Sequence, residues 1–199
     1  TVATYMVNGE GSRDQHDTRA MAYRDPEAFG AIIDAIAELT VGYLSGQIEA
    51  GAEAVQLFDS WSGTLAPAEF ERWVIAPNAA IVAKLRALHP DIPIIGFPKG
   101  AGEKLPAYMR ETDVSAAGLD ETVDPVWAAS ALPDYLPVQG NLDPLMLLSG
   151  GNALDQAVHR ILEAFADRPH IFNLGHGIGQ HTPIANVEQL VAAVRGHAG

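Results

Sequence analysis

Short apolar segments that each give way to a helix-patterned stretch constrain this chain more than any other feature. Residues 54–58, 92–97, 114–119, 136–139 and 171–174 read as strands. Runs such as 92–97 (Ile-Pro-Ile-Ile-Gly-Phe) are apolar without alternation, as strands covered on both faces are. Between them lie helical patterns. The clearest begins after Asp25 as N-cap with Pro26 in the first turn, and Gly51 is its stop. Within it Phe29, Ile32, Ile33, Ile36, Leu39, Tyr43 and Leu44 recur at helical spacing. Further helices are expected over 67–88, bent at Pro77, over 102–110, weakly around 126–128, over 153–165 with Asn152 as cap, and over 187–194. Residues 8–12 read as a turn, followed by a polar segment carrying Arg13, Arg19 and Arg24, a solvated face rather than an anion site.

Five strands, each followed by a helix, imply a parallel sheet. Two architectures fit, an open doubly wound sheet or part of a (β/α)8 barrel. No G-x-G-x-x-G follows a strand and no Walker A loop is present, so nucleotide fingerprints are absent.

Composition narrows the chemistry. The 199 residues hold 12 Lys+Arg against 25 Asp+Glu, a formal charge of −13. Nucleic acid and anionic membrane surfaces are therefore poor partners. With Cys 0, disulfides, thiolate metal sites and cysteine nucleophiles are excluded. No apolar run nears the roughly 20 residues of a membrane span, and the first residues lack a signal-peptide layout. A cytoplasmic single domain over residues 1–199 is expected. The absent initiator Met points to a chain cut from something longer.

In either architecture, ligands gather beyond the carboxyl ends of the strands. Those ends carry Asp59, Ser60 and Trp61; Phe97, Pro98, Lys99 and Gly100; Asp120 and Glu121; Gln139 to Pro144; and Asn173 to Gly179. His176 lies between two glycines, which permit close backbone approach, and so reads as ligand-facing. Ser60 is either functional or a turn cap, and Asp59 either orients a partner or caps its loop. Asp143 before Pro144 reads as a cap, and Lys99 as solvated. A metal site is a poor expectation, since the seven His are scattered. No G-x-S-x-G elbow supports a nucleophilic triad.

At this rim the sequence resembles a known family. Residues 5–12 (YMVNGEGS) are similar to the Y-M-V-E-G-G-G-S segment of the uroporphyrinogen decarboxylases, and residues 57–63 (LFDSWSG) to that family's L-F-D-S-W-A-G. Residues 95–100, 118–120, 139–144 and 173–178 follow in the family's order. The resemblance implies a (β/α)8 barrel of which this chain supplies about five strands, beginning just after the third. The preceding M-R-Q-A-G-R block and a strand-end Asp would be missing. The resemblance further implies cofactor-independent decarboxylation of the four acetates of uroporphyrinogen III to methyls, giving coproporphyrinogen III in heme biosynthesis. Tyr5, Ser60 and His176 match the family's catalytic and substrate-binding residues on this half. It implies a homodimer when intact, and weak activity for the isolated piece. Two alternatives stand beside it: an inactive tetrapyrrole-binding module, and a corrinoid-dependent methyltransferase of the same superfamily, which the lack of Cys disfavours.

Overall fold

The longest helix shows how local signals set the elements. In a computed structural model, which describes residues 1–12 and 14–197, the Asp25 carboxylate accepts the Ala28 amide at 3.0 Å and starts the helix Pro26–Glu49. Gly51, at φ 108°, lies just beyond its end. Two compact units make up the chain, Thr1–Val114 and Ser115–Gly199.

The N-terminal unit runs α1 (Val2–Asn8), α2 (His16–Arg24), α3 (Pro26–Glu49), β1 (Val55–Asp59), α4 (Pro67–Phe70), α5 (Ala76–Leu88), β2 (Ile94–Pro98) and α6 (Leu105–Thr112). β1 and β2 pair in parallel, Val55 opposite Ile94 and Asp59 opposite Pro98. Their carboxyl ends therefore lie side by side. Leu85 and Ile94 are wholly buried, with Phe70, Val74, Val82 and Tyr108 nearly so. A second cluster joins the first three helices through Ala3, Ala22 and Phe29, with Trp73 edge-on to Phe29 at 4.9 Å. Burial pushes the Tyr108 phenol well above its usual range.

The C-terminal unit runs β3 (Ala116–Gly118), α7 (Pro125–Ala131), β4 (Val138–Leu142), α8 (Pro144–Ser149), α9 (Gly151–Ala164), β5 (His170–Leu174) and α10 (Ile184–His197). Both of its strand pairs, β3 with β4 and β4 with β5, are parallel. Val138 and Leu154 are fully buried, and Leu142, Leu147 and Val158 nearly so. Arg168 fastens the end of α7 by donating to the carbonyls of Ala128 (3.3 Å), Leu132 (3.2 Å) and Pro133.

Several expectations change. α1, α2 and α8 were not anticipated, because short polar or two-turn helices leave little periodic signal. Arg24 on α2 is exposed, and Arg13 lies outside the described residues. The 67–88 helix is interrupted ahead of Pro77, at a π-helical turn over Glu71–Ile75. In an unbroken α-helix the Pro77 ring would crowd the carbonyl four residues earlier, that of Trp73, and Trp73 lies inside that turn. α9 starts one residue before Asn152, with Gly150 as its cap, so Asn152 does not cap it.

The absence of a span-length apolar run also needs correcting. α3, at 24 residues, holds an 18-residue window of mean hydropathy 1.4, enough by length and composition to cross a membrane. Its Gly and Thr residues break up the visible runs, while its Ala, Ile, Leu and Val residues keep the average high. Asp34 and Glu38 interrupt it, and Glu38 pairs with Lys84 of α5.

His170 gives the C-terminal unit a pH dependence. It packs against Phe165 at 4.8 Å and Phe172 at 5.8 Å, and its Nε2 lies 2.7 Å from the Gly140 carbonyl, to which the neutral ring donates. Burial holds its pKa below the ordinary 6.5 despite that hydrogen bond. Its contribution is complete above about pH 6.5 and is lost as pH falls through the lowered value. Urea midpoints measured from pH 7.5 to 5 should fall more steeply for the wild type than for His170→Gln. Parallel curves would contradict this assignment.

Candidate functional site

The rim of the N-terminal unit is built on the last residue of β1. The Asp59 Oδ1 accepts from the Thr1 hydroxyl at 2.8 Å and the Trp61 amide at 3.4 Å. The Thr1 hydroxyl oxygen in turn accepts the Ser60 amide at 3.0 Å. Tyr5, on α1, lays its ring against Trp61 at 5.3 Å and is 51 % exposed. Two of the three expected site residues, Tyr5 and Ser60, thus belong to one local arrangement. Of the two alternatives for Asp59, loop capping is seen in its bond from the Trp61 amide, and it also holds the Thr1 hydroxyl.

The loop after Ser60 is clamped to the loop after β2. Gly63 donates its amide to the Lys99 carbonyl at 3.0 Å. A Cβ on Gly63 would sit 2.4 Å from the Gly100 carbonyl oxygen, so no side chain fits there. The buried Ser62 hydroxyl donates to the Asp59 carbonyl, with the Lys99 carbonyl also at 3.2 Å. Lys104 reaches across to the carbonyls of Gly63 (3.1 Å) and Leu65 (3.0 Å), 4.9 Å from the centre of the Phe70 ring. Burial pulls its pKa below the usual ammonium range. Gln15, buried and left-handed at φ 53°, accepts from the Thr64 hydroxyl at 2.9 Å and donates to the Ser12 carbonyl at 2.8 Å. Those bonds offset a backbone conformation that costs about 1–2 kcal/mol. Beneath this rim lies a cavity of about 70 Å³, bordered by Thr4, Gln15, Thr18 and Ser62, room for water rather than for a ligand.

In the C-terminal unit Asp120 is buried and accepts the Thr122 amide at 2.9 Å. Asn141, also buried, donates to the carbonyls of Asp120 (2.9 Å) and Val123 (2.7 Å), fixing the loop after β3. Asp143 caps α8 through the Leu145 amide at 2.8 Å, as its place before Pro144 implied. Asp124 caps α7 through the Val126 and Trp127 amides. Those amides, with Arg160 2.6 Å away, hold its carboxyl below the usual range.

His176 is exposed, two residues beyond β5. The two glycines beside it are not equivalent. Gly175 donates to the Leu142 carbonyl at 2.8 Å, and a Cβ there would meet the Glu121 amide nitrogen at 2.2 Å. A Cβ on Gly177 would meet nothing within 4 Å. Close approach was therefore foreseen for both glycines and is required of one. Thr1, Gln15, Ser62 and Lys104 escaped sequence reasoning, because they act on backbone carbonyls, amides or residues remote in sequence. Among the described residues no three His, Asp or Glu side chains gather as metal ligands.

The sequence profile described as uroporphyrinogen decarboxylase (URO-D) matches residues 1–197. The chain belongs to the uroporphyrinogen decarboxylase family. It is 73 % identical over 196 residues to the uroporphyrinogen decarboxylase of Novosphingobium aromaticivorans and 71 % identical to that of Sphingopyxis alaskensis. These alignments cover 98 % of this chain but 58 % and 57 % of the relatives, so the chain spans little more than half their length. A solved methyltransferase from Methanosarcina mazei superposes with a TM-score of 0.77 at 17 % identity, over 91 % of this chain and 53 % of its own, a likeness of fold. The fold class is thus that of the family, a (β/α)8 barrel, with this chain supplying five parallel strands and their helices.

The glycine contrast is testable. Gly175→Ala should cost about 1–3 kcal/mol through overpacking against backbone, and Gly63→Ala a similar amount. Gly177→Ala should stay within about 0.5 kcal/mol of wild type. Chemical denaturation of the three variants checks the order, and equal losses at 175 and 177 would contradict it.

Proposed function

We propose that this chain is the carboxyl-terminal part of an enzyme that decarboxylates the four acetates of uroporphyrinogen III to methyls, yielding coproporphyrinogen III. The observation that carries this reading is the 73 % identity to a curated uroporphyrinogen decarboxylase, sustained over 98 % of the chain. Residues 1–199 are read as one partial-barrel domain, cytoplasmic, with the tetrapyrrole as partner rather than nucleic acid or membrane, and homodimeric when intact.

The reaction replaces a carbon–carboxylate bond by a carbon–hydrogen bond and releases carbon dioxide. A proton added to a pyrrole carbon turns the ring into an electron sink, so the electron pair of the breaking bond flows into the ring. A proton added to the former acetate carbon then completes a methyl group, and the proton first placed on the pyrrole carbon is lost, which restores the neutral aromatic ring. The chemistry calls for positioning of a polycarboxylate and stabilisation of positive charge on the ring. In this reading Tyr5 and Ser60 donate hydroxyl hydrogen bonds to substrate carboxylate, and His176 holds a propionate or stands near the reacting acetate. The formal charge of −13 opposes a polyanion, so the binding cleft must be locally basic. The family's arginine-bearing block supplies that charge in this reading.

An anaerobic incubation with uroporphyrinogen III, followed by oxidation and separation of the porphyrins by carboxylate number, tests the proposal. The 199-residue chain alone should show little turnover. Supplemented with the amino-terminal portion of its relatives, it should produce the stepwise series from eight carboxylates to four. In that active form Ser60→Ala and His176→Ala should each raise KM about tenfold, the loss of one hydrogen bond to a charged group. Binding without turnover after supplementation would favour a tetrapyrrole-binding module instead.

A further inference from the structure

Thr1 touches two of the three residues assigned above to the substrate, Tyr5 and Ser60, and it does so through different atoms. Its main-chain carbonyl accepts the Tyr5 amide at 3.4 Å and the Thr4 amide at 3.0 Å, opening the first turn of α1. Its side-chain oxygen accepts the Ser60 amide at 3.0 Å, 59 residues away in sequence. The hydroxyl hydrogen goes to the Asp59 Oδ1 at 2.8 Å. The hydroxyl is thus used as donor and as acceptor at once, which a serine can reproduce and a valine of nearly the same shape cannot.

The same carboxylate oxygen receives the Trp61 amide at 3.4 Å, and the Trp61 ring lies against Tyr5. The ring of Tyr5 and the backbone of Ser60 are therefore referred to one node, Thr1 with Asp59. Asp59 itself is held by its ladder position opposite Pro98 in β2. A turn that needed only a cap would be satisfied by the Trp61 amide on its own aspartate, as Asp124 and Asp143 cap α7 and α8 from neighbouring residues. Here the bond spans from α1 to the end of β1.

We propose that Thr1 and Asp59 form a positioning pair that sets the separation of Tyr5 from Ser60, and so the carboxylate spacing this side of the site accepts. The inference rests on the proposed function. The pair touches no substrate and acts through Tyr5 and Ser60, which do in the proposed function.

The test is a double-mutant cycle in the full-length protein, with KM and kcat for uroporphyrinogen III measured for Thr1→Val, Ser60→Ala and the double variant. Thr1→Val, which removes both hydroxyl bonds, should raise KM roughly fivefold by displacing Ser60 rather than by removing a substrate contact, with kcat little changed. Thr1→Ser should restore wild-type KM. In the Ser60→Ala background Thr1→Val should add less than twofold, because the residue it positions is gone. Fully multiplicative effects would mean that Thr1 only stabilises the fold, and would overturn the proposal. A KM unmoved by Ser60→Ala alone would overturn the assignment of Ser60, and the positioning pair with it. Should Thr1→Val fail to fold, Asp59→Asn weakens the same charge-assisted bond. It should raise KM in the wild-type background and leave it unchanged in the Ser60→Ala background, and an equal rise in both overturns the proposal.

Discussion

Parallel pairing carries a consequence that antiparallel pairing does not. Every strand must return through a helix, and all carboxyl ends of a paired set face the same way. In the N-terminal unit this puts Asp59 opposite Pro98, so the loop carrying Ser60 and the loop carrying Lys99 leave the sheet as neighbours. In the C-terminal unit it puts Asn141 opposite Asn173, so the loop toward His176 starts beside the loop toward Asp143. The polar residues of each rim are neighbours for that reason.

Strand ends alone would leave those loops loose. What orders them is a small set of buried or half-buried polar side chains that satisfy loop carbonyls and amides. Lys104 and Ser62 do this after β1, Asn141 after β3, and Arg168 at the end of α7. Each bond contributes only about 1 kcal/mol net, yet a buried carbonyl left unpaired costs about 1–3 kcal/mol. The clamps therefore matter less as added stability than as selection of one loop conformation over its alternatives. Backbone contact at Gly63 and Gly175 does the same by sterics, since neither site has room for a Cβ.

The apolar face of α3 is a different matter. Its N-terminal half packs on α1 and α2 through Phe29, while Leu39 and Tyr43 are 74 % and 70 % exposed. Phe58, on β1, is 68 % exposed though edge-on to Phe97 at 5.7 Å. High hydropathy in α3 thus coincides with modest burial within its own unit. The same average would come from a core helix or a membrane span, because a mean hydropathy carries no information about what lies opposite.

Strands, caps and strong helices were legible because each rests on neighbours in sequence. Asp25 with Pro26, Asp143 with Pro144, and the apolar run at 92–97 specify local conformation through side-chain volume, fixed proline geometry and short-range hydrogen bonds. The candidate residues Tyr5, Ser60 and His176 were reachable through family-like segments at strand ends. Their supports were not. A carbonyl looks alike at every position, so nothing in the string says that Lys104 will choose Gly63 and Leu65, or that Gln15 will accept a left-handed backbone to meet Thr64. Nor does it say that Thr1 will hold Ser60, or that Gly175 rather than Gly177 must lack a side chain. The sequence by itself determined the alternation of elements and the identity of the polar residues at their ends, both local consequences of residue type. Which of those residues meet, and which backbone groups they hold in place, was decided by tertiary structure, since contacts between distant segments exist only once the parallel strands have brought their ends together.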